Sequence, residues 1–327
     1  MSRTDTNEVT ISVVIPTLNR PNHLQEALQS FLKQTKLPDE IIVVDQSDDS
    51  KTQTLIKKEL QFFLKKGIAL KYLWEETKSV THARNAGTRA ATGNIVGFLD
   101  DDMVADRHYL GEISKAFHDN PRAIGIQGFL FPPPYWEGVS TKAILANNMR
   151  RTFLLTHWER NTQRVLLSGE TVVAYPLTKT IKAIIIYPAG SAFKRKILRE
   201  IPLDENLKGY SWQDEHFTLK LSRLYPHSLY IVPSARLHHN YAPAGRPIGK
   251  QFHHIMAAYE LYNFTNNISP SLKNWIAFFW KVLGKIIIAL PDFRRKERRT
   301  RLLYILQSYS WALRNLGEVR NARFNQR

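Results

Sequence analysis

The first hundred residues alternate two patterns. Short apolar, β-branched runs, ISVVIPTL (11–18), DEIIVVDQS (39–47), LKYLWEE (70–76) and NIVGFLD (94–100), are separated by stretches whose apolar residues recur at helical spacing. PNHLQEALQSFLKQ (21–34) puts Leu24, Ala27, Leu28, Phe31 and Leu32 on one helical face, and Pro21 suits its first turn. Residues 51–66 repeat the pattern with Leu55, Ile56, Leu60, Phe63 and Leu64, and VTHARNAGTRAATG (80–93) reads as an Ala-rich helix closed by Gly93. Runs that are apolar along their length suit strands covered on both sides. The order β-α-β-α-β-α-β therefore predicts an α/β, Rossmann-like fold: a mostly parallel sheet with helices on both faces. Beyond residue 125 the alternation weakens, and the runs at 124–131, 171–175, 184–193 and 229–232 are expected to be antiparallel additions. FPPPYWEG (131–138) reads as a stiff loop and APAGRPIGK (242–250) as a mobile one.

Ligands of open α/β sheets bind beyond the carboxyl ends of the strands. Two predicted strands end there in acid: Asp45, and the consecutive Asp100, Asp101 and Asp102. Adjacent carboxylates repel, so a cation in front of them would relieve the cost. With no cysteine in the chain, any metal must be held by oxygen or histidine, which suits hard divalent ions such as Mg²⁺ and Mn²⁺. The triplet also fits a solvated loop capping a helix at about 106–118.

VVIPTLNR (13–20), DEIIVVDQSDD (39–49), ARNAGTRAATGNIVGFLDDD (83–102) and WQDEHFTLKL (212–221), in this order, resemble bacterial-type, inverting family 2 glycosyltransferases of the GT-A fold. The resemblance covers roughly residues 10–245. It implies a nucleotide-sugar donor, with Pro16 and Thr17 lining the base pocket and Asp45 accepting hydrogen bonds from the base. Gln46 replaces the usual second acid, and Leu18 stands where many members carry a stacking aromatic. Arg84 and Asn85 fall near the nucleotide; by its chemistry alone, Arg84 also reads as a surface helix charge. In the DXD-like motif Asp102 matches the metal ligand, Asp100 the acid reaching ribose or metal through water, and Asp101 the middle donor-site residue. Gly190 and Ser191, in PAGSAFKRKIL (188–198), would lie near the donor sugar and acceptor. Asp214 matches the general base. Glu215 is the fallback, because Gln213 replaces the family's Glu. Both acids also suit a helix N-terminus. His239, or else His238, would complete the Mn²⁺ or Mg²⁺ site; strand alternation would bury one of them and expose the other. Arg246 and Lys250 would close over the diphosphate.

The formal net charge of +17 calls for an anionic partner, and residues 292–327 hold ten Lys/Arg against three acids. The 273–290 stretch KNWIAFFWKVLGKIIIAL puts Lys273, Lys281 and Lys285 on one arc among Trp, Phe and Ile. That pattern suits a helix lying at an anionic membrane surface. Packing on the catalytic domain or a second subunit is the other reading, and a spanning helix a third. The expected organisation is a disordered terminus (1–10), a GT-A catalytic domain (11–250) and a basic amphipathic helical region (251–327). MSRTDTNEVT carries no secretory pattern, so a cytoplasmic enzyme, peripheral on the inner membrane face, is expected. Its acceptor would be a saccharide or lipid-linked hydroxyl, in polysaccharide or cell-surface glycan synthesis; oligomeric state stays open. A sugar-nucleotide nucleotidyltransferase is the alternative, but that chemistry favours a Gly-rich loop after the first strand, and PTLNRPNH has none. Nucleic acid is not an expected partner, because the ligand edge is acidic and the basic cluster terminal.

Overall fold

A computed structural model of the chain describes residues 9–130, 141–207, 213–240, 249–268, 271–290 and 296–321. β1 (Ile11–Thr17), α1 (Pro21–Leu32), β2 (Glu40–Asp45), α2 (Lys51–Lys65), β3 (Ala69–Trp74), α3 (Val80–Ala90) and β4 (Ile95–Phe98) follow in the expected order. Next come β5 (Met103–Ala105), α4 (Tyr109–Asp119), β6 (Gly125–Leu130) and α5 (Thr141–Thr152). A three-stranded sheet, β7 (His157–Glu159), β8 (Arg164–Val165) and β9 (Thr171–Ala174), precedes β10 (Ile181–Ala183), β11 (Ser191–Lys194), α6 (Arg195–Glu200), α7 (Gln213–Leu224) and β12 (Leu229–His239). The chain continues through α8 (Gly249–Asn267), α9 (Leu272–Ala289), α10 (Lys296–Arg314) and α11 (Leu316–Arg320).

The main sheet runs β10-β12-β6-β11-β4-β1-β2-β3, with β5 on the end of β12. β3, β2, β1 and β4 are mutually parallel. Alternate residues of β1 enter different cores: Ile11, Val13 and Ile15 meet α1 and α2, while Val14 faces Ala83 and Ala86 of α3. That two-sided burial is why the early strands read as unbroken apolar runs.

The later runs depart from expectation. β11 is antiparallel to β4 and β6, and β10 to β12, as expected, but β6 and β12 pair with each other in parallel. Only the last residues of the 184–193 run are strand. β12 continues to His239 because its register against β6 shifts between Ile231 and Arg236, a bulge that accommodates Pro233. α3 ends at Ala90, and Gly93 is no helix cap. Gly93 N donates to Ser12 Oγ at 2.9 Å, and a Cβ there would lie 2.8 Å from Ser12 N. The glycine serves close backbone approach instead.

A third apolar core, with Tyr259, Phe264, Phe278, Ile305 and Tyr309, is built by α8, α9 and α10. Two of the three lysines of the α9 stripe, Lys281 and Lys285, point the opposite way from expectation, while Lys273 stays exposed. Lys281 is 1% exposed, with Nζ 3.5 Å from Glu170 and 3.2 Å from Glu260; Lys285 bonds Glu260 and lies 3.3 Å from Glu170. Two carboxylates facing the same arc make burial of these ammonium groups tolerable. Among the described residues, no helix is long and apolar enough to cross a membrane. The 131–138 loop, Arg246, Trp212, the basic run 294–295 and most of the N-terminal stretch lie outside the described residues.

Candidate active site

The carboxyl ends of β1, β2 and β4 meet at one edge. Register pairs Thr17 with Asp45 and Asp45 with Trp74. The triplet follows β4, and Arg20 lies between two of its members, 3.3 Å from Asp101 and 3.8 Å from Asp102. Asp100 accepts a 2.9 Å bond from Arg84 Nη2. Asp101 accepts from Thr17 Oγ1 at 2.7 Å and from Arg20 at 3.3 Å. Asp102 Oδ1 lies 3.0 Å from His239 Nε2. Burial pushes the Asp101 carboxyl up to about 6; Asp100 and Asp102 add to the rise, while Thr17 and Arg20 oppose it. The capping reading of the triplet does not hold, since α4 starts after His108 with no side-chain cap.

His239 owes its place to sheet pairing. β5 runs antiparallel to the end of β12 and sets His239 against Met103, so its ring meets Asp102. His238 alternates to the other side and is exposed. Ligands on adjacent corners of an octahedral ion, at about 2.1 Å from it, are about 3 Å apart. The Asp102–His239 separation fits one such edge, and carboxylate plus imidazole is a donor set for Mn²⁺. Among the described residues no three such side chains cluster. A cation there would take its remaining ligands from phosphate oxygens and water.

Arg84 joins the triplet to α7. Its side chain is buried, Nη1 donates to Asp214 at 2.9 Å and Nη2 to Asp100 at 2.9 Å. The guanidinium lies 5.9 Å from the Phe98 ring centroid. Its Nε is buried without a hydrogen-bond partner among the described residues. Arg84 is therefore neither a surface charge nor an exposed phosphate ligand: it braces two carboxylates. Burial raises the Asp214 carboxyl and Asp100 adds to the rise, while Arg84 opposes it. Glu215 accepts from Tyr187 Oη at 3.2 Å, and burial, reinforced by the charge of Glu170, pushes it up to about 8.

Other expected residues act one step back. Asp45 is fully buried: Ser47 N donates to Oδ1 at 3.0 Å and Tyr72 Oη to Oδ2 at 2.9 Å, so it offers no exposed atom to a base here. Pro16 is buried within β1. Gln46 donates to the carbonyls of Thr77 and Ser79, tying down the entry to α3. Asn85 bonds the Leu203 backbone and Glu205. Gly190 has φ +76°, and a Cβ there would meet Leu237 at 2.5 Å. Ser191 is buried with its hydroxyl donated to the Tyr187 carbonyl. Lys250 is exposed on α8. Beside Asp45 a 670 Å³ cavity is lined by Tyr72, Trp74, Asp48 and Lys78, among others. Trp74 donates Nε1 to the Ser47 carbonyl at 3.3 Å and stays 58% exposed.

The profile of glycosyl transferase family 2 matches residues 12–201, more than half of the chain. The chain belongs to that family. An uncharacterised glycosyltransferase of Nostoc sp. is 34% identical over 206 residues, 62% of this chain and 56% of that protein. The matches span only 14% to 56% of the length of the first curated relatives. Two solved structures share the fold. S. aureus TarS 1-349 in complex with UDP-GlcNAc has a TM-score of 0.56 at 17% identity, covering 93% of this chain and 81% of that one. A mannosyltransferase from Pyrobaculum calidifontis in complex with GDP-Man and Mn²⁺ has a TM-score of 0.57 at 18% identity, covering 94% and 88%. This family 2 chain thus has the GT-A fold. Tyr72, Trp74 and Tyr187 of the site were not singled out from its sequence. Period-two alternation in LKYLW would have placed Tyr72 and Trp74 on the face of Asp45; nothing local marks Tyr187.

Proposed function

We propose that this protein is a metal-dependent inverting glycosyltransferase. It moves a sugar from a nucleotide-sugar donor to a hydroxyl of a saccharide or lipid-linked acceptor, in polysaccharide or cell-surface glycan synthesis. The observation that carries the reading is the Arg84 bridge. It holds the carboxylate that opens α7 beside the triplet that ends β4, so a base and a donor site share one edge.

Asp102 and His239 would hold Mn²⁺ or Mg²⁺, which as a Lewis acid would neutralise charge building on the departing diphosphate. Asp214 accepts the proton of the acceptor hydroxyl as its oxygen bonds to the anomeric carbon. The bond from that carbon to the diphosphate breaks, and its electron pair leaves with the nucleoside diphosphate. A single displacement inverts the anomeric centre. Its raised carboxyl places Asp214 nearer neutrality than an ordinary Asp, which suits a base. Glu215, at about 8, is largely protonated at pH 7 and serves to orient Tyr187. Trp74 provides the exposed aromatic face that Leu18 does not. The enzyme works in the cytoplasm, peripherally on an anionic inner membrane face, as its basic C-terminal region suggests.

A thermal-shift screen of nucleotide-sugars with and without Mn²⁺ tests the donor half of this reading. One donor is expected to raise Tm only with the ion, and Asp102→Asn to abolish that rise. Equal rises in both proteins, or none with any donor, would contradict it.

A further inference from the structure

With Lys281 and Lys285 turned inward, the outward face of α9 is apolar. At about 100° per residue, Leu272, Ile276, Phe279, Leu283 and Leu290 fall within an arc of roughly 60°, and Lys281 lies opposite. The structure leaves Leu272 78%, Ile276 62% and Leu283 42% exposed. The end of α5 joins this face. Trp280 donates Nε1 to the Thr152 carbonyl at 2.8 Å, its ring centroid lies 5.3 Å from that of Phe153, and Gly284 makes room for Phe153. Leu145 of α5 is 63% exposed. Neither helix contains an Asp or Glu. The flanking exposed charges are cations: Arg150 and Arg151 in the last turn of α5, and Lys273 in the first turn of α9. Arg151 also lies 3.9 Å from Glu159.

We propose that α5 and α9 form the face by which this protein docks onto an anionic lipid surface. The apolar side chains lie at the headgroup–acyl boundary, and Arg150, Arg151 and Lys273 lie among the headgroups. The inference rests on the peripheral-membrane reading above and reverses which arc of α9 meets lipid. Charge favours lipid over a second copy of the chain. Two copies would oppose cations of one sign across an apolar patch, whereas anionic headgroups neutralise them. Trp280 and Phe279 also suit an interface, where aromatic rings sit well.

Flotation of the full chain with vesicles of mixed anionic and zwitterionic lipid tests this. The wild type is expected to float, and less so in high salt. The double variant Ile276→Glu/Leu283→Glu is expected to lose binding on the order of 100-fold, since it removes two apolar groups from the boundary and adds two like charges. Phe62→Glu, an equally exposed apolar site on α2, is expected to float as the wild type does. Quenching of wild-type tryptophan fluorescence by lipids brominated near the headgroup reads the same contact without a substitution. A double variant that floats undiminished, with no quenching in the wild type, would overturn the docking face while leaving peripheral binding intact. A wild type that does not float overturns both. If it instead elutes as a dimer that the double variant dissociates, the face joins two copies and the lipid assignment falls.

Discussion

Arg84 shows how far a residue's role depends on what folding brings to it. In sequence it is a cation within a helix, and the resemblance implied a place near the nucleotide. In the fold its guanidinium is spent on Asp100 and Asp214. Removing it takes a cation from beside Asp214 and raises that carboxyl further, so the proposed base stays protonated to higher pH. Arg84→Met is therefore expected to lower turnover on the order of 100-fold and to move the acid limb of the pH–rate profile upward. Arg84→Lys restores the charge and should bring the limb back towards the wild type while turnover stays low, because one ammonium cannot brace two carboxylates in the same geometry. An unmoved limb in Arg84→Met would show that Arg84 does not govern the base. The acids themselves were legible, since a strand that ends in Asp delivers it to the ligand edge. Of their partners, His239 was expected from the sequence, whereas Tyr72 and Tyr187 were not, because pairing across strands and loops distant in sequence sets them.

At the scale of elements, Glu40 fastens the other end of the parallel strands. On β2, it accepts from Ser12 Oγ of β1 at 2.5 Å and from Thr92 N at 2.6 Å, and pairs with Lys71 of β3 at 2.5 Å. Burial by itself would raise its carboxyl, but Lys71, Ser12 and Thr92 together hold it down at about 2. A group held below its unfolded value near 4.5 stabilises the fold above that pH and loses its contribution as pH falls towards 2. Glu40→Gln is expected to cost about 1–2 kcal/mol at pH 7 and much less near pH 2, read by urea denaturation at the two values. An equal cost at both would mean that packing, not charge, sets it. The β-α-β half of the sheet was readable because two-sided burial leaves unbroken apolar runs. The later strands were readable only in part: β6, β9 and the start of β12 fall on expected runs, but β10 and β11 are short, and neither the parallel pairing of β6 with β12 nor the register shift of β12 around Pro233 leaves a periodic signal.

For the whole molecule, the question is how the C-terminal helices join the rest. Lys281 and Lys285 of α9 meet Glu260 of α8 and also Glu170, beside β9 in the small sheet. The network thus spans the third core and the segment that carries β7, β8 and β9. Lys281→Met leaves two buried carboxylates with one ammonium and is expected to cost about 3–5 kcal/mol in urea unfolding, whereas a loss under about 1 kcal/mol would mean water reaches the cluster. Helical periodicity alone had put the three lysines on one arc, but it cannot say which arc faces inward. That was decided by Glu170, more than a hundred residues away in the chain.

The central claim is that Asp214 and Asp102 divide base and metal-binding roles at one edge. Release of nucleoside diphosphate from the bound donor, with acceptor and Mn²⁺ present, tests it most directly when compared across wild type, Asp214→Asn and Asp102→Asn. Loss of the base is expected to slow release by about 10²- to 10⁴-fold while donor binding survives. Asp102→Asn is expected to lose both the rate and the response to Mn²⁺. Release at the wild-type rate in both variants would contradict the account.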